Sequence, residues 1–341
     1  MLRLPKFELE SPTTVAEATR LLKESPSARI IAGGTDILPN MKHGLMEPDV
    51  LVSLEAIPEL HGITVDPESG ELIIGAMTSL ATVAADERVQ QSAPALAQAA
   101  GLVAGPQLRT MGTLGGNVLL DTRCQWYNQT HFWRESLGFC LKKDGTECHV
   151  VAGGKKCVAA ASNDTVPALM TLGAGVVIHG AEQSRTVDIN QLWTADGIWN
   201  KKVSPTEILT KIRVPVRGAT HRGAYGKLRD RGSIDFPLLG VAVRIDLDSA
   251  GLVEDADVVL TALAAKPVRL KQCAAILQGL NPIDSEAWAA ATKQVASLAS
   301  KQCRPMANIP GDHDYRHEMV PVYVRRTLVA AATQTGPVHH I

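Results

Sequence analysis

The first fifty residues alternate between helical and extended apolar periods. Thr14 and Glu17 form a capping-box signature, which predicts a helix to about Glu24. "ARIIAGGTD" predicts a short strand that breaks at Gly33 and Gly34, then a second helix, and "DVLVSL" predicts another strand. This is a βαβ-like order. From Gly62, "ITVDPESGELIIGAMTSL" predicts two strands around a Pro/Gly turn, and helical spacing follows from about Ser79 to Ala104. "VPALMTLGAGVVIHG" predicts a helix that runs into a strand. After about Asp188, "EILTKIRVP", "GAYGKLRD", "LLGVAVRIDLD" and "VEDADVVLTAL" read as strands, and three helical stretches close the chain near 268–279, 285–300 and 314–334.

The pattern predicts an α+β protein. A two-part α/β region with a cysteine-rich loop precedes a C-terminal antiparallel sheet with helices. The expected divisions are 1–56, 57–187 with the loop at about 122–160, 188–334, and a loose tail at 335–341. No repeat or low-complexity segment is present.

Two glycine turns stand out. "IIAGGTDI" places Gly33, Gly34 and Thr35 between a strand and a helix start. Glycine lets backbone approach a ligand, and free N–H groups there suit a diphosphate. A tight turn capped by Thr35 or Asp36 is the simpler reading, since neither G-x-G-x-x-G nor a P-loop is present. "GTLGGN" (Gly112 to Asn117) would let a flat ring lie on the backbone; a glycine-rich hairpin or bulge is the alternative. A dinucleotide needs one site for its phosphates and another for its ring, so the pair says more than either turn.

Composition adds context for the cysteines. The chain has 341 residues, 45% of them hydrophobic, with a net charge of -1, so no global charge favours nucleic acid or an anionic membrane. Its longest nearly apolar run contains Pro167 and two glycines and is too short to span a bilayer. The N-terminus lacks a secretory pattern. The cytoplasm is therefore expected, where clustered cysteines serve as metal ligands or redox groups rather than disulfides. Cys124, Cys140, Cys148 and Cys157 lie within one short span among Trp126, Tyr127, Phe132, Trp133 and Phe139, with lysine pairs at 142–143 and 155–156. No C-x-x-C pair occurs, which weighs against a zinc ribbon. Four scattered thiolates suit an iron–sulfur cluster; structural zinc and unliganded thiols remain the alternatives. His131 and His149 read as loop surface, Cys273 and Cys303 as buried helix residues, and "GDHDYRHE" as a capped helix start.

"IIAGGTDI", "GTLGGN", "NDTVPALMTLGA", "EILTKIRVP" and "AYGKLRDRGSIDFPLLGVAV" occur in that order. Together they resemble the FAD-binding subunits of the xanthine dehydrogenase family of molybdenum hydroxylases over nearly the whole chain. The cysteine segment resembles the insertion of one branch, the flavoprotein (beta) subunits of 4-hydroxybenzoyl-CoA reductases, where four cysteines hold an extra [4Fe–4S] cluster.

The resemblance implies that Ala32, Gly33, Gly34, Thr35, Asp36 and Ile37 wrap the FAD diphosphate. It places Thr78, Thr113, Gly116 and Asn117 at the cofactor, Asp164 on a ribityl or nearby hydroxyl, Leu209 against the isoalloxazine and Lys227 near its polar edge. Asn163 stands where the family has serine. Cys124, Cys140, Cys148 and Cys157 would ligate the cluster. The implied partners are a large molybdopterin subunit, a small [2Fe–2S] subunit and a ferredoxin donor, in a dimer of heterotrimers. The chain would be an electron-transfer module with no general base or nucleophile of its own.

Overall fold

The computed structural model describes residues 2–283 and 285–339. Strand β1 (Glu8–Glu10), helix α1 (Val15–Glu24), β2 (Arg29–Ile31), α2 (Ile37–Lys42) and β3 (Val50–Ser53) form the first unit, on a parallel sheet ordered β1-β3-β2. Thr14 Oγ1 accepts the Glu17 N–H at 3.2 Å, and the Glu17 carboxylate accepts the Thr13 N–H at 3.0 Å, so the start of α1 is closed as the sequence implies. Val15, Ala18 and Leu22 recur at helical spacing and are buried with Val52 and Leu54. Each such aliphatic side chain contributes about 1.5–3 kcal/mol relative to exposure.

The second unit contains β4 (Ile63–Val65), β5 (Leu72–Gly75), α3 (Leu80–Ala85), α4 (Glu87–Ser92), α5 (Pro94–Leu102), α6 (Pro106–Met111) and α7 (Leu114–Val118). After α8 (His131–Ser136), inside the cysteine loop, come α9 (Thr165–Leu172), β6 (Gly175–His179), β7 (Ser184–Asp188) and β8 (Ile208–Val214). The antiparallel sheet has the order β4-β5-β8-β6-β7. The last strand in sequence is thus the central one. This corrects the expected boundary at 188: β8 belongs here because both its edges are taken by β5 and β6. Gly173, at φ +69°, ends α9 in the left-handed conformation that glycine adopts without strain.

The third unit begins at β9 (His221–Leu228) and continues through β10 (Leu239–Leu247), β11 (Val253–Thr261), β12 (Val268–Arg269), α10 (Cys273–Leu277), α11 (Ser285–Gln302) and α12 (His313–Thr333). Its sheet has the order β12-β11-β10-β9. The sheet is buried on both faces. Tyr225, Ala242 and Val259 join the core of the second unit, while Ala224, Val241, Val243 and Leu260 pack with residues of α11 and α12. Period-2 alternation therefore separates two apolar environments, which explains the nearly unbroken apolar runs. The expected loose tail is pinned at Val338, whose N–H donates to Tyr225 O at 3.0 Å and whose O accepts the Lys227 N–H at 2.8 Å; residues 340–341 lie outside the described residues. No helix among the described residues is long and apolar enough to cross a membrane.

Candidate cofactor site

The two glycine turns meet. A Cβ on Gly33 would lie 1.7 Å from Met111 O, and one on Gly112 would lie 3.6 Å from Thr35 Oγ1. Gly33 is therefore glycine because the second turn presses against it. Gly34 sits at φ +73°. The second turn is a short helix, α7, instead of a hairpin or bulge: Thr113 Oγ1 caps it by accepting the Gly116 N–H at 3.1 Å. Leu114 N–H donates to Thr78 O at 2.9 Å, and Thr78 Oγ1 donates to Gly62 O at 2.9 Å. Ala32, Gly33, Gly34, Thr35, Asp36 and Ile37 all remain half-buried and Gly116 is exposed, so the joined turns keep an open face. Met111, 57% exposed, lies at its rim. Backbone with little side chain, open on one side, fits a dinucleotide that must approach closely.

Asp164 and Lys227 also come together, deep inside. Lys227 Nζ donates to Leu102 O at 3.0 Å, lies 3.2 Å from Asp164 Oδ1 and donates to Asp235 O at 3.3 Å. Tyr225 OH donates to Asp164 Oδ1 at 2.9 Å. Burial holds the Asp164 carboxyl above its ordinary range, opposed by Lys227. Every Lys227 donor thus meets a protein acceptor. Asn117 Oδ1 is likewise engaged, accepting Thr165 N–H and Oγ1 at 3.0 and 2.6 Å and so capping α9. Leu209, 3% exposed, is in the core on β8. Asn163 donates to Val118 O at 3.1 Å, while its buried Oδ1 has no partner.

Three of the four thiols of the insertion share one apolar cluster, and Cys148 lies within electrostatic reach of Cys124 and Cys157. Cys124, Cys140 and Cys157 are buried with Leu45, Tyr127 and Ala159, and Cys148 is half-buried. Burial pushes the Cys124 thiol up to about 11, with the three other cysteines adding to the shift. Backbone N–H groups point at sulfur: Trp126 donates to Cys124, and Ala159 to Cys157 at 3.4 Å. A single tetrahedral zinc would hold its sulfurs roughly 3.8 Å apart. Among the described residues, no three of these thiols lie within 4.8 Å of one another. The spacing departs from that of a single zinc, and N–H···S bonds of this kind stabilise thiolates at a metal centre.

Buried ion pairs fix the insertion to the rest of the chain. Arg123 pairs with Asp36 of the first turn, and its guanidinium lies 4.4 Å from the Phe236 ring centroid. Arg123 also exchanges backbone hydrogen bonds with Ala160, 2.8 Å and 2.7 Å. Asp36 is therefore at the helix N-cap position without a capping bond. Arg134, 1% exposed, binds Asp144 at 3.2 Å and Gly44 O at 3.1 Å. Lys142 is not a surface charge: its Nζ donates to Asp121 Oδ1, Thr122 Oγ1 and Gly197 O at 3.0, 2.8 and 2.6 Å. Lys143 pairs with Asp144 at 3.2 Å. Of the two lysine pairs, only Lys155 and Lys156 are exposed.

Several features carry no local sequence signal. Asp196 Oδ1 accepts the Cys157 N–H at 3.3 Å and Gly197 N–H donates to Cys157 O at 2.8 Å, so a segment about forty residues downstream clasps Cys157. Ile234 adopts φ +54° while 60% exposed, a strained state for a β-branched residue. Its neighbour Asp235 binds Arg229 at 2.5 Å, and Arg229 also holds Ala104 O at 3.2 Å. At α12, Asp312 caps the helix by accepting from Asp314 and Tyr315 N–H, as expected for "GDHDYRHE". His149 is exposed beside Trp126, with ring centroids 5.3 Å apart. Cys273 and Cys303 are buried, their thiols pushed up to about 12 by burial.

Joined glycine turns on a two-unit α/β region, followed by an antiparallel domain, define a candidate dinucleotide-binding module. Residues 5–217 match the FAD binding domain in molybdopterin dehydrogenase, and residues 223–331 match the CO dehydrogenase flavoprotein C-terminal domain. The chain belongs to this family, the FAD-binding subunits of the molybdenum hydroxylases, and is an oxidoreductase subunit. It is 30% identical to the carbon monoxide dehydrogenase medium chain of Hydrogenophaga pseudoflava over 96% of this chain and 97% of that one. It is 25% identical to the xanthine dehydrogenase FAD-binding subunit of Escherichia coli O157:H7 over 95% of both. The carbon monoxide dehydrogenase structure from Hydrogenophaga pseudoflava superposes with a TM-score of 0.77 at 29% identity, covering 97% of this chain and 99% of that one. That of Oligotropha carboxidovorans gives 0.78 at 26%, covering 98% and 100%.

Proposed function

We propose that this chain is the FAD- and [4Fe–4S]-bearing electron-transfer subunit of a molybdenum enzyme that reductively dehydroxylates 4-hydroxybenzoyl-CoA to benzoyl-CoA. Its partners are a large molybdopterin subunit and a small [2Fe–2S] subunit in a dimer of heterotrimers, with ferredoxin as donor. The gathering of Cys124, Cys140 and Cys157 in one apolar cluster with Cys148 in electrostatic reach, tied through Arg123 to the first glycine turn, carries this reading. When bound, FAD and an iron–sulfur cluster supply electron exchange. The chain's own residues position and tune. Ala32 to Ile37 receive the diphosphate, and Thr78, Thr113, Gly116 and Asn117 shape the flavin half. Asp164 and Leu209 complete the wall. Lys227 acts through Asp164, because its donors are already engaged. Substrate chemistry belongs to the molybdenum subunit, which leaves this subunit without a catalytic acid or base.

Anaerobic purification tests the reading. Four iron and four sulfide per chain, one FAD, copurifying molybdopterin and [2Fe–2S] proteins, and turnover of 4-hydroxybenzoyl-CoA are expected. Zinc in place of iron would overturn the cluster. Iron and flavin with turnover of only an aldehyde or heterocycle would overturn the substrate.

A further inference from the structure

The loop between α11 and α12 reaches back to the insertion. Asn308, fully buried, lies in this loop. Asn308 O accepts the Gln125 N–H at 2.7 Å, and Ala307 O accepts from Gln125 Nε2 at 2.9 Å, so the loop grips the residue that follows Cys124. Asn308 Nδ2 donates to Val158 O at 2.6 Å, and Val158 follows Cys157. Val158 O belongs to the same peptide unit as the Ala159 N–H, and that N–H donates to Cys157 Sγ at 3.4 Å. A planar peptide turns as one body, so holding its oxygen aims its N–H. Hydrogen bonds in series also polarise one another, so donation to the oxygen strengthens donation to sulfur. The loop is itself anchored. Arg316 of α12, fully buried, donates to Met306 O at 2.8 Å and to Leu238 O at 3.0 Å, which ties the loop to the start of β10. Asn308 Oδ1 is buried without a partner among the described residues. A stranded acceptor costs stability, so what the amide contributes here lies in its donor.

We propose that Asn308 is a positioning residue for the four-cysteine site: it orients the 158–159 peptide, fixes the N–H···S bond to Cys157, and so tunes the reduction potential of the group held there. The third unit, which supplies none of the four cysteines, thereby acts on them. This rests on the iron–sulfur reading and deepens it. Hydrogen bonds to sulfur favour the reduced, more negative state of a cluster, so weakening one lowers the potential. The test is a potentiometric titration of the intact complex, followed by electron paramagnetic resonance, for wild type, Asn308→Leu, Asn308→Ser and Ile309→Val. Asn308→Leu keeps the branched shape without the N–H donor; Asn308→Ser is too short to reach Val158 O and adds no bulk. Both should keep iron and FAD, while the reduced-to-oxidised ratio at a fixed potential falls about threefold to tenfold, equivalent to about 28–59 mV for one electron. Where only one of them folds, its shift carries the test. Ile309 packs with Ala160 and Ala262 and takes no part in the relay, so Ile309→Val should lower thermal stability and leave the potential unchanged. An unchanged potential in either Asn308 variant with iron retained overturns the proposal. So does an equal shift in Ile309→Val, which would make general packing of the loop the cause. Failure of both Asn308 variants to fold or to keep iron also overturns it, because Asn308 would then hold the site rather than tune it. Iron-free wild type would remove the iron–sulfur reading, and this proposal with it.

Discussion

The joined glycine turns and the cysteine insertion solve opposite problems. The turns are almost bare backbone, held by N–H and C=O groups and by the absence of Cβ atoms, with Gly33 pressed on Met111 O. The insertion is held by long charged side chains sunk into the protein, Arg123, Arg134 and Lys142, each meeting a carboxylate. Steric fit tolerates no added atom. Charge pairing tolerates reshaping but not loss of a partner. A flat cofactor on an open face suits the first solution. A buried group that gathers negative charge suits the second.

The sharpest break is Gly33→Ala. Its Cβ would collide with backbone, which cannot rotate away, so destabilisation of about 3 kcal/mol or more is expected. FAD affinity should fall roughly hundredfold. Equilibrium dialysis checks this, and wild-type affinity would show that the turns do not form one site. Arg134→Met comes next. It removes one of the two cations beside Asp144, which keeps Lys143 and 39% exposure, and the donor to Gly44 O, at a cost of about 1–3 kcal/mol. Iron retention and protease resistance of residues 124–157 should drop while FAD affinity stays within about twofold; equal loss of both would merge the two regions.

A pH experiment sharpens the contrast further. Lys201 has a folded value of about 8, lowered from 10.5, so the folded cofactor-free chain binds fewer protons than the unfolded chain between those values. The burial penalty is complete below about pH 8 and is withdrawn as pH rises towards 10.5. Wild-type apoprotein should gain about 2 kcal/mol relative to Lys201→Met between about pH 7 and about pH 9.5 in denaturant titrations. Parallel curves would show that Lys201 is neutral or solvated. The smallest effect belongs to Lys155→Ala/Lys156→Ala, since exposed charges contribute little. With ferredoxin as the proposed donor, turnover should fall a few-fold at low salt and depend less steeply on salt than in wild type; rates equal to wild type at every ionic strength would remove these lysines from donor docking.

What the sequence showed divides along the same line. Gly33, Gly34 and the Thr113–Gly116 cap are legible because turn chemistry is local. The clustering of the four cysteines is legible too, because it is local in the sequence. What stayed hidden depends on distant partners. Nothing near Lys142 in the sequence shows that Asp121 and Gly197 enclose it. The boundary at 188 fails because strand β8 pairs with strands far away in sequence. The contact between the turns runs through a carbonyl, which no residue type announces.

The mutual hydrogen bonds between Arg123 and Ala160 give the insertion a seam where both its ends touch. Cutting at that seam and rejoining the chain would leave flanking segments already side by side, so a relative can lack the whole loop without rearranging its scaffold. Grafting is harder than excision. A recipient must also supply Asp36, Asp121 and the downstream clasp before the loop can close.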